Sequence, residues 1–468
     1  MKKTDVSGPP ATGTQPPIQW RRINALVAGQ GAAMGGDYVL LIAMSWTAIQ
    51  LGGASAVTTL MLAATIPRAV MLVFGGAVAD RFGPRFVLLR TNAARVVLLV
   101  AGTVTVSSVR SLWPLIVIVL FDGVLFGLAS PSAGSVIPHL ATHDQLPRAN
   151  SLYAMVSRVS PIVGSPVGAW MIATGELWEA LLVAAVTCAI SLGTLFVVTK
   201  GMRPPERTPG KSLVKSSGDG LRLLASHPRL RWTFVCALCL DMAFGWPIEV
   251  AMPLLVQERG WGVSAIGVII AAFSSGALVS SATGAVLAHR IPVVVRFVVS
   301  GAGIAIGILL MALMPSVIAI AVTGCAVGIM AGLNGPAIVT VYQQAAPKAK
   351  MGAAMSTLTL ASIGTGPISI ALFGSLSLTI GLRTTWMVCG AVALIAPLAA
   401  LAALRHPVAK QDDETAGAAR PANPAEAEET SRTPAANDPL TVTKDDAKDG
   451  AEKPVPTRPE AELAARAG

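Results

Sequence analysis

Charge is what this sequence has least of. Asp, Glu, Lys and Arg make up 13% of its 468 residues, about half the ~25% share of a soluble domain. The uncharged stretches are long, 53% of residues are hydrophobic and the mean hydropathy is +0.64. A soluble globular fold is excluded, and a polytopic membrane protein is indicated. Cysteine is scarce as well. Cys188, Cys236, Cys239, Cys325 and Cys389 all fall inside apolar runs. The C-x-x-C spacing of Cys236 and Cys239 has no second Cys/His pair, so neither a zinc site nor a disulfide framework is expected.

Other absences narrow the chemistry. The five histidines, His139, His143, His227, His289 and His406, are scattered near polar turns, and no catalytic constellation accompanies them. No Gly-rich phosphate loop followed by Lys-Ser or Lys-Thr occurs, which argues against ATP as energy source and leaves an ion gradient. No cofactor or metal is expected. Residues 1–20 lack the apolar core and cleavage pattern of a signal peptide and read as a polar cytoplasmic tail. The net charge of +10 does not mark a nucleic-acid binder, because it is unevenly spread. From Lys410 onward there are 8 basic and 13 acidic residues, while the preceding stretch holds 27 and 12. Basic loops facing anionic lipid explain that excess.

What is present is a succession of apolar runs. Twelve spanning helices are read at 23–50, 56–79, 86–108, 112–137, 151–174, 177–199, 232–257, 264–288, 292–314, 316–341, 352–378 and 384–404. Each suits a bilayer core of ~30 Å. The loops alternate in charge. One set carries Arg81, Arg85, Arg148, Arg290, Lys348 and Lys350 and the basic stretch 200–231, whereas the other holds little beyond Arg110, Arg259 and Arg383. The positive-inside rule then places both termini in the cytoplasm of a cell-membrane protein. The chain divides into a tail 1–20, a six-helix bundle 21–199, a linker 200–231, a second bundle 232–405 and an Ala/Pro-rich acidic tail 406–468. That last segment has too little apolar residue to build a core.

The turn Gly75–Arg85 stands between two such helices. A faint copy of Gly76-Ala77-Val78 recurs as Gly284-Ala285-Val286, but the acid of Asp80 is lost there, and the halves read as a diverged duplication. Two sets of six helices, a basic central loop and this turn resemble the major facilitator superfamily. Gly76, Asp80, Arg81, Gly83 and Arg85 match the family's signature between helices 2 and 3, with Pro84 where Arg or Lys is frequent. The resemblance implies an all-α fold of two six-helix bundles that alternate in access, and a gating role for the turn. Asp80 is expected to latch the cytoplasmic side against the start of helix 11 near Gly352.

A second stretch is more specific. Ala149-Asn150-Ser151-Leu152, with Ser130-Pro131-Ser132-Ala133 upstream, is similar to the branch containing siderophore and macrolide exporters. Ser160-Pro161-Ile162-Val163-Gly164-Ser165-Pro166 resembles the Gly-Pro-x-x-Gly-Gly element of drug/proton antiporters, with Ser160 and Ser165 replacing glycines. Helix 4 lacks the arginine many such antiporters carry, and Arg158 is the nearest basic residue at comparable depth.

Charged residues inside spans are costly, at ~2.5–3.5 kcal/mol on insertion scales, and therefore informative. Asp37, Asp122, Asp241, Glu249, Arg68 and Arg158 are the candidates for proton or substrate coupling. Asp37, deep in a helix that borders the central cavity in the resembling family, leads. Asp122 reads either as such a group or as a structural partner of Arg68, Arg95 or Arg158. Asp241 and Glu249, eight residues apart, fall ~80° apart around a regular helix and are expected to line one cavity, with Gly245 and Pro247 bending the helix between them. Asp241 paired with a neighbouring arginine is the simpler alternative. Arg90 and Arg296 are expected to snorkel. Of the few aromatics, Tyr38, Trp46, Trp246 and Tyr342 are candidates to stack on substrate or to pack in the core, with Trp170 a further mid-span case. Trp113, Trp178 and Trp261 read as an interfacial belt.

The sequence is thus read as a secondary transporter, a proton-coupled exporter of a small amphipathic molecule such as a drug or siderophore-like metabolite. The partners are that small molecule, protons and the lipid bilayer, without ATP or nucleic acid. A symporter importing a small solute, and a non-transporting sensor or assembly protein, are the alternatives.

Overall fold

A computed structural model describes residues 18–140, 146–200, 221–245, 247–287, 290–347 and 350–406. The described residues all fall within the unit Met1–Gln411, and residues 412–468 lie outside the described residues, as does most of the predicted linker.

Among the described residues ten helices are long and apolar enough to cross a bilayer. The first, Trp20–Gly76, has 57 residues. A straight helix of that length would run about 85 Å, far beyond a ~30 Å core. It reverses at Gly52 (φ −159°) and Gly53 (φ 64°, ψ −149°). Glycine bears the left-handed φ at Gly53 without the Cβ clash other residues meet. The stretch Ile18–Phe82 is therefore two helices, α1 (18–51) and α2 (54–82), joined without the loop expected at 51–55.

The succeeding helices are α3 (Pro84–Ser108), α4 (Leu112–Leu140), α5 (Leu146–Thr174), α6 (Leu177–Val198), α7 (Pro228–Glu258), α8 (Ser264–Leu287), α9 (Val295–Leu313), α10 (Val317–Ala345), α11 (Met351–Ile380) and α12 (Leu382–Arg405). With α1 and α2 separated and α5 added, the twelve expected spans are all present. A short helix at 221–226, not foreseen in the sequence, buries Leu223 and Leu224 beside Leu230 and Tyr342.

Contacts group α1–α6 and α7–α12 into two halves. Small residues allow the closest approaches, as expected where lipid removes the hydrophobic drive between helices. In the first half Gly127 of α4 sits so near α2 that an added Cβ would lie 2.6 Å from the Arg68 carbonyl oxygen. Gly164 of α5 likewise abuts the Tyr38 Cβ of α1, at 2.9 Å from its own would-be Cβ. The halves meet through α5 with α8, α2 with α11, and α1 with α7.

The halves are not joined evenly along their length. At the end away from the Arg81–Arg85 turn, one apolar cluster runs through both, from Leu40, Leu60 and Ala169 to Val256, Ile266 and Phe373. At the end bearing the turn the core divides. Ile23, Leu88 and Leu195 form a cluster within the first half, while Phe297, Ala337 and Tyr342 belong to clusters within the second. The molecule is closed at one end and parted at the other.

Candidate functional site

Three cavities among the described residues bear on the intramembrane charges. One of about 490 Å³ runs along α2, α4 and α11 on the turn-bearing side, between Arg68, Phe126, Thr359 and Pro367. One of about 250 Å³ lies within the first half against α7, lined by Asp37, Tyr38, Arg68, Asp122, Phe126 and Glu249. One of about 280 Å³ reaches into the second half, between Tyr38, Phe244, Glu249, Met252, Phe273 and Met311. Arg68 belongs to the first two, and Tyr38 and Glu249 to the last two. The three residues therefore mark one continuous wall from the parted end toward the closed one.

The deepest charges of the first half are already satisfied. Arg95 of α3 donates from Nη2 to Asp37 Oδ1 at 2.7 Å, from Nε to Asp122 Oδ1 at 2.7 Å and from Nη2 to Asp122 Oδ2 at 3.3 Å. Arg95 is 5% exposed and Asp122 9%. Charge-assisted bonds of this length in a low dielectric are strong. They offset the desolvation of a buried guanidinium only because its geometry is complete. Of the three arginines that the charge pattern offered Asp122 as partners, the one it pairs with is Arg95. Asp37, the leading candidate for proton or substrate coupling, is tied to the same guanidinium while still reaching the cavity wall.

The second half has a neutral counterpart on α9 and α10. Asn334 Nδ2 donates to the Phe297 carbonyl oxygen and to Ser300 Oγ, both at 2.9 Å. Residues Val295–Val299 form a π-helical turn. The wider spacing of such a turn frees a carbonyl, and Asn334 occupies one there.

Helix α7 bends where Gly245 and Pro247 were expected to bend it. A π-helical turn covers Asp241–Gly245, and a new helical segment starts at Ile248. This insertion breaks the regular 100° step on which Asp241 and Glu249 were placed together. Glu249 lines the two inner cavities, while Asp241 is not among the residues lining any of the three. Asp241 accepts a hydrogen bond from the Ser362 side chain on α11 instead, so its partner is a hydroxyl and not an arginine.

Glu249 and Arg68 form none of the ion pairs found among the described residues, which are Arg95–Asp37, Arg95–Asp122 and Arg110–Glu176. Arg68 lies with its guanidinium carbon 3.9 Å from the centre of the Phe126 ring. Its Nε is buried with no hydrogen-bond acceptor. Phe126 was not singled out in the sequence, and nothing there signalled it, since a lone Phe in an apolar helix carries no pattern.

The remaining candidates scatter. Arg158 on α5 is half-buried and is not among the residues lining these cavities. Of the stacking candidates among the described residues Tyr38 alone lines these cavities. Trp46 packs on the apolar cluster, Tyr342 is fully buried beside Leu230 and Ala354, and Trp246 lies outside the described residues. Trp170 is 65% exposed on the outer surface of α5, where lipid is the neighbour, and so it is not an inward-facing aromatic.

In the turn, Gly83 (φ 85°) caps α3 ahead of Pro84, Arg81 lies 5.5 Å over the Phe82 ring, and the Arg85 Nε is buried without an acceptor. Gly76 has open space around it. Asp80 is helical, and its side chain lies outside the described residues.

The family model described as the Major Facilitator Superfamily matches residues 26–362 and 250–444. The enterobactin exporter EntS of Escherichia coli O1:K1 / APEC is 25% identical over 318 residues, 66% of this chain and 73% of that protein. Among solved structures, a POT family transporter in complex with 5-aminolevulinic acid superposes with a TM-score of 0.66 at 15% identity, covering 81% of this chain and 95% of the other. A D-xylose–proton symporter superposes with a TM-score of 0.65 at 15% identity, covering 83% and 99%.

Proposed function

The chain belongs to the Major Facilitator Superfamily, and from that premise we propose that it exports a small amphipathic molecule in exchange for protons. Membership makes it a multi-pass membrane transporter and not an enzyme. The direction, the ion and the cargo are the proposal. The similarity to an enterobactin exporter supports efflux of a drug or siderophore-like compound.

Orientation follows from charge. The end bearing Arg81, Arg85 and Arg290 is taken as cytoplasmic, with both termini on that side, because short basic loops stay inside. On that assignment the parted end faces the cytoplasm, and the cavity between α2, α4 and α11 is the cytoplasmic vestibule. The bundles 21–199 and 232–405 then rock about their shared apolar end, with 200–231 as linker.

One observation carries the coupling. Glu249 faces the cavities at the junction of the halves with no ion-pair partner among the described residues, whereas Asp37 and Asp122 share Arg95. A carboxylate in a water-poor cavity is costly when ionised and unpaired. Its protonation state therefore weighs differently on the closed and open arrangements, as a coupling group requires. Exchange moves from Asp37 to Glu249, and Arg95 keeps Asp37 in place.

The test is proton movement in proteoliposomes enclosing a pH-sensitive dye, challenged with a panel of antibiotics and siderophore-like compounds. Substrate-driven proton flow opposite to substrate flow is the expected result. Flow of both in the same direction, or transport indifferent to the proton gradient, would overturn the reading.

A further inference from the structure

We propose that the transported molecule is dipolar, carrying an acid that docks on Arg68 and an amine that docks on Glu249, with an apolar body packed against Phe244 and Phe273. This rests on the export reading above and names its substrate class.

The geometry is that of two opposite charges on one cavity, held apart. Arg68 enters the cavity of about 250 Å³ from α2, and Glu249 enters it from α7. They are not an ion pair. In a low-dielectric site two such charges attract strongly, yet each is held by its own helix, and space lies between them. Phe126 fixes the guanidinium from one side. Its buried Nε lacks an acceptor. A carboxylate or another oxyanion of the ligand pairs instead with the part of the guanidinium that lines the cavity, in the charge-assisted form arginine favours. An ammonium at Glu249 completes the second pair. A ligand with one charge of either sign leaves the other residue bare in the cavity, so the site discriminates through unpaired charge as well as through contact.

Shape supports the same assignment. The cavity of about 280 Å³ beyond Glu249 is lined by Phe244, Met252, Ile266, Phe273 and Met311. Phe244 and Phe273 lie 5.5 Å apart, centre to centre, at 55°. Met and Phe present polarizable, adaptable walls suited to an aromatic or branched body.

The amine also accounts for exchange. At Glu249 the ammonium and the proton compete for one carboxylate, so binding of one releases the other. The groups facing Glu249 are few. Tyr38 comes from α1 and Arg68 from α2, Asp37 and Asp122 are held on Arg95, and α8 offers Ser274 as its polar group.

A matched probe series on one scaffold tests this with the whole transporter in lipid nanodiscs. 2-Naphthylalanine carries acid and amine, its methyl ester the amine alone, its N-acetyl derivative the acid alone, and the N-acetyl methyl ester neither. Calorimetric titration is expected to rank the dipolar probe first by about tenfold or more over each singly charged one, ~1.4 kcal/mol per tenfold. Arg68→Gln is expected to erase the advantage of the acid without weakening the amine-only ester, which no longer leaves a bare guanidinium. Arg68→Lys should keep part of it, which separates charge recognition from a folding defect. Glu249→Gln is expected to erase the advantage of the amine and the pH dependence of its binding. Equal binding of the uncharged probe, no binding of any of the four, or an unchanged ranking in Arg68→Gln would overturn the inference. Proton-coupled efflux of an uncharged panel compound would in those cases leave the export reading standing. The expected ranking without any proton movement would leave the site and remove the exchange.

Discussion

Arg95 meets Asp122 at two points, through Nε at 2.7 Å and through Nη2 at 3.3 Å, and the same Nη2 reaches Asp37 at 2.7 Å. One guanidinium thus locks α1, α3 and α4 at mid-depth. Substituting Arg95→Met should leave two carboxylates facing each other in the core. Removing one partner of a buried pair costs about 3–5 kcal/mol, so poor folding and a large drop in thermal stability in detergent are expected. The triple change Arg95→Met, Asp37→Asn, Asp122→Asn should recover much of that loss. A single Arg95→Met variant as stable as the parent would show that the cluster does not hold the bundle.

Glu249 and Asp37 separate in function. In the proposed exporter Glu249→Gln should abolish the response of transport to the proton gradient, because the neutral amide mimics the protonated acid permanently. Substrate exchange should fall with the loss of the ammonium's partner, and whatever remains should be flat with pH where the parent's is not. Asp37→Asn should instead weaken folding and leave the pH response of transport in place. Measuring exchange and gradient-driven flux on the same vesicles checks both. The opposite pattern would return the coupling role to Asp37.

How much of this was legible in the sequence depends on which force set each feature. The twelve spans follow from hydrocarbon thickness, which acts on length and composition alone, so they were readable almost to their ends. The Gly52–Gly53 reversal was not, since a helical hairpin without a loop differs from a loop only in two backbone angles. Asp37, Asp122 and Arg95 were each visible as intramembrane charges. Their grouping was not, because it depends on how far each helix is rotated against its neighbours. The eight-residue spacing of Asp241 and Glu249 misled for a local reason, as the π-turn Asp241–Gly245 resets the angular phase between them. Gly245 and Pro247 announced a bend but not its type.

Asp80 remains as an expected latch for the opposite state. The turn-bearing end is parted here, so a latch that closes it should be disengaged in this arrangement. Asp80→Asn is expected to raise the population of the parted state. A single cysteine placed at Ile363, on the wall of the 490 Å³ cavity, should then react faster with a water-soluble maleimide from the cytoplasmic side. Unchanged labelling with a normal transport rate would leave the turn as a topological marker only.

The closed end offers the most direct handle on the cycle. Gly267 of α8 lies against α5, where an added Cβ would sit 2.9 Å from the Pro166 Cα and 3.0 Å from the Ser165 carbonyl oxygen. Both neighbours are backbone, so they cannot swing aside. Gly374 of α11 faces the Thr58 side chain of α2 across the second seam at the same end. A side chain at Thr58 can rotate, which makes Gly374→Ala the milder change. Gly267→Val should prevent α5 and α8 from meeting and hold the molecule open at this end. The variant is expected to fold, since the two halves keep their own clusters at the turn-bearing end. A cysteine at Ser45, on the inner cavity wall, should become reactive to maleimide added from outside, while transport falls at least tenfold. A Gly267→Val variant that transports normally would mean that the seam seen here is not the barrier the cycle must open.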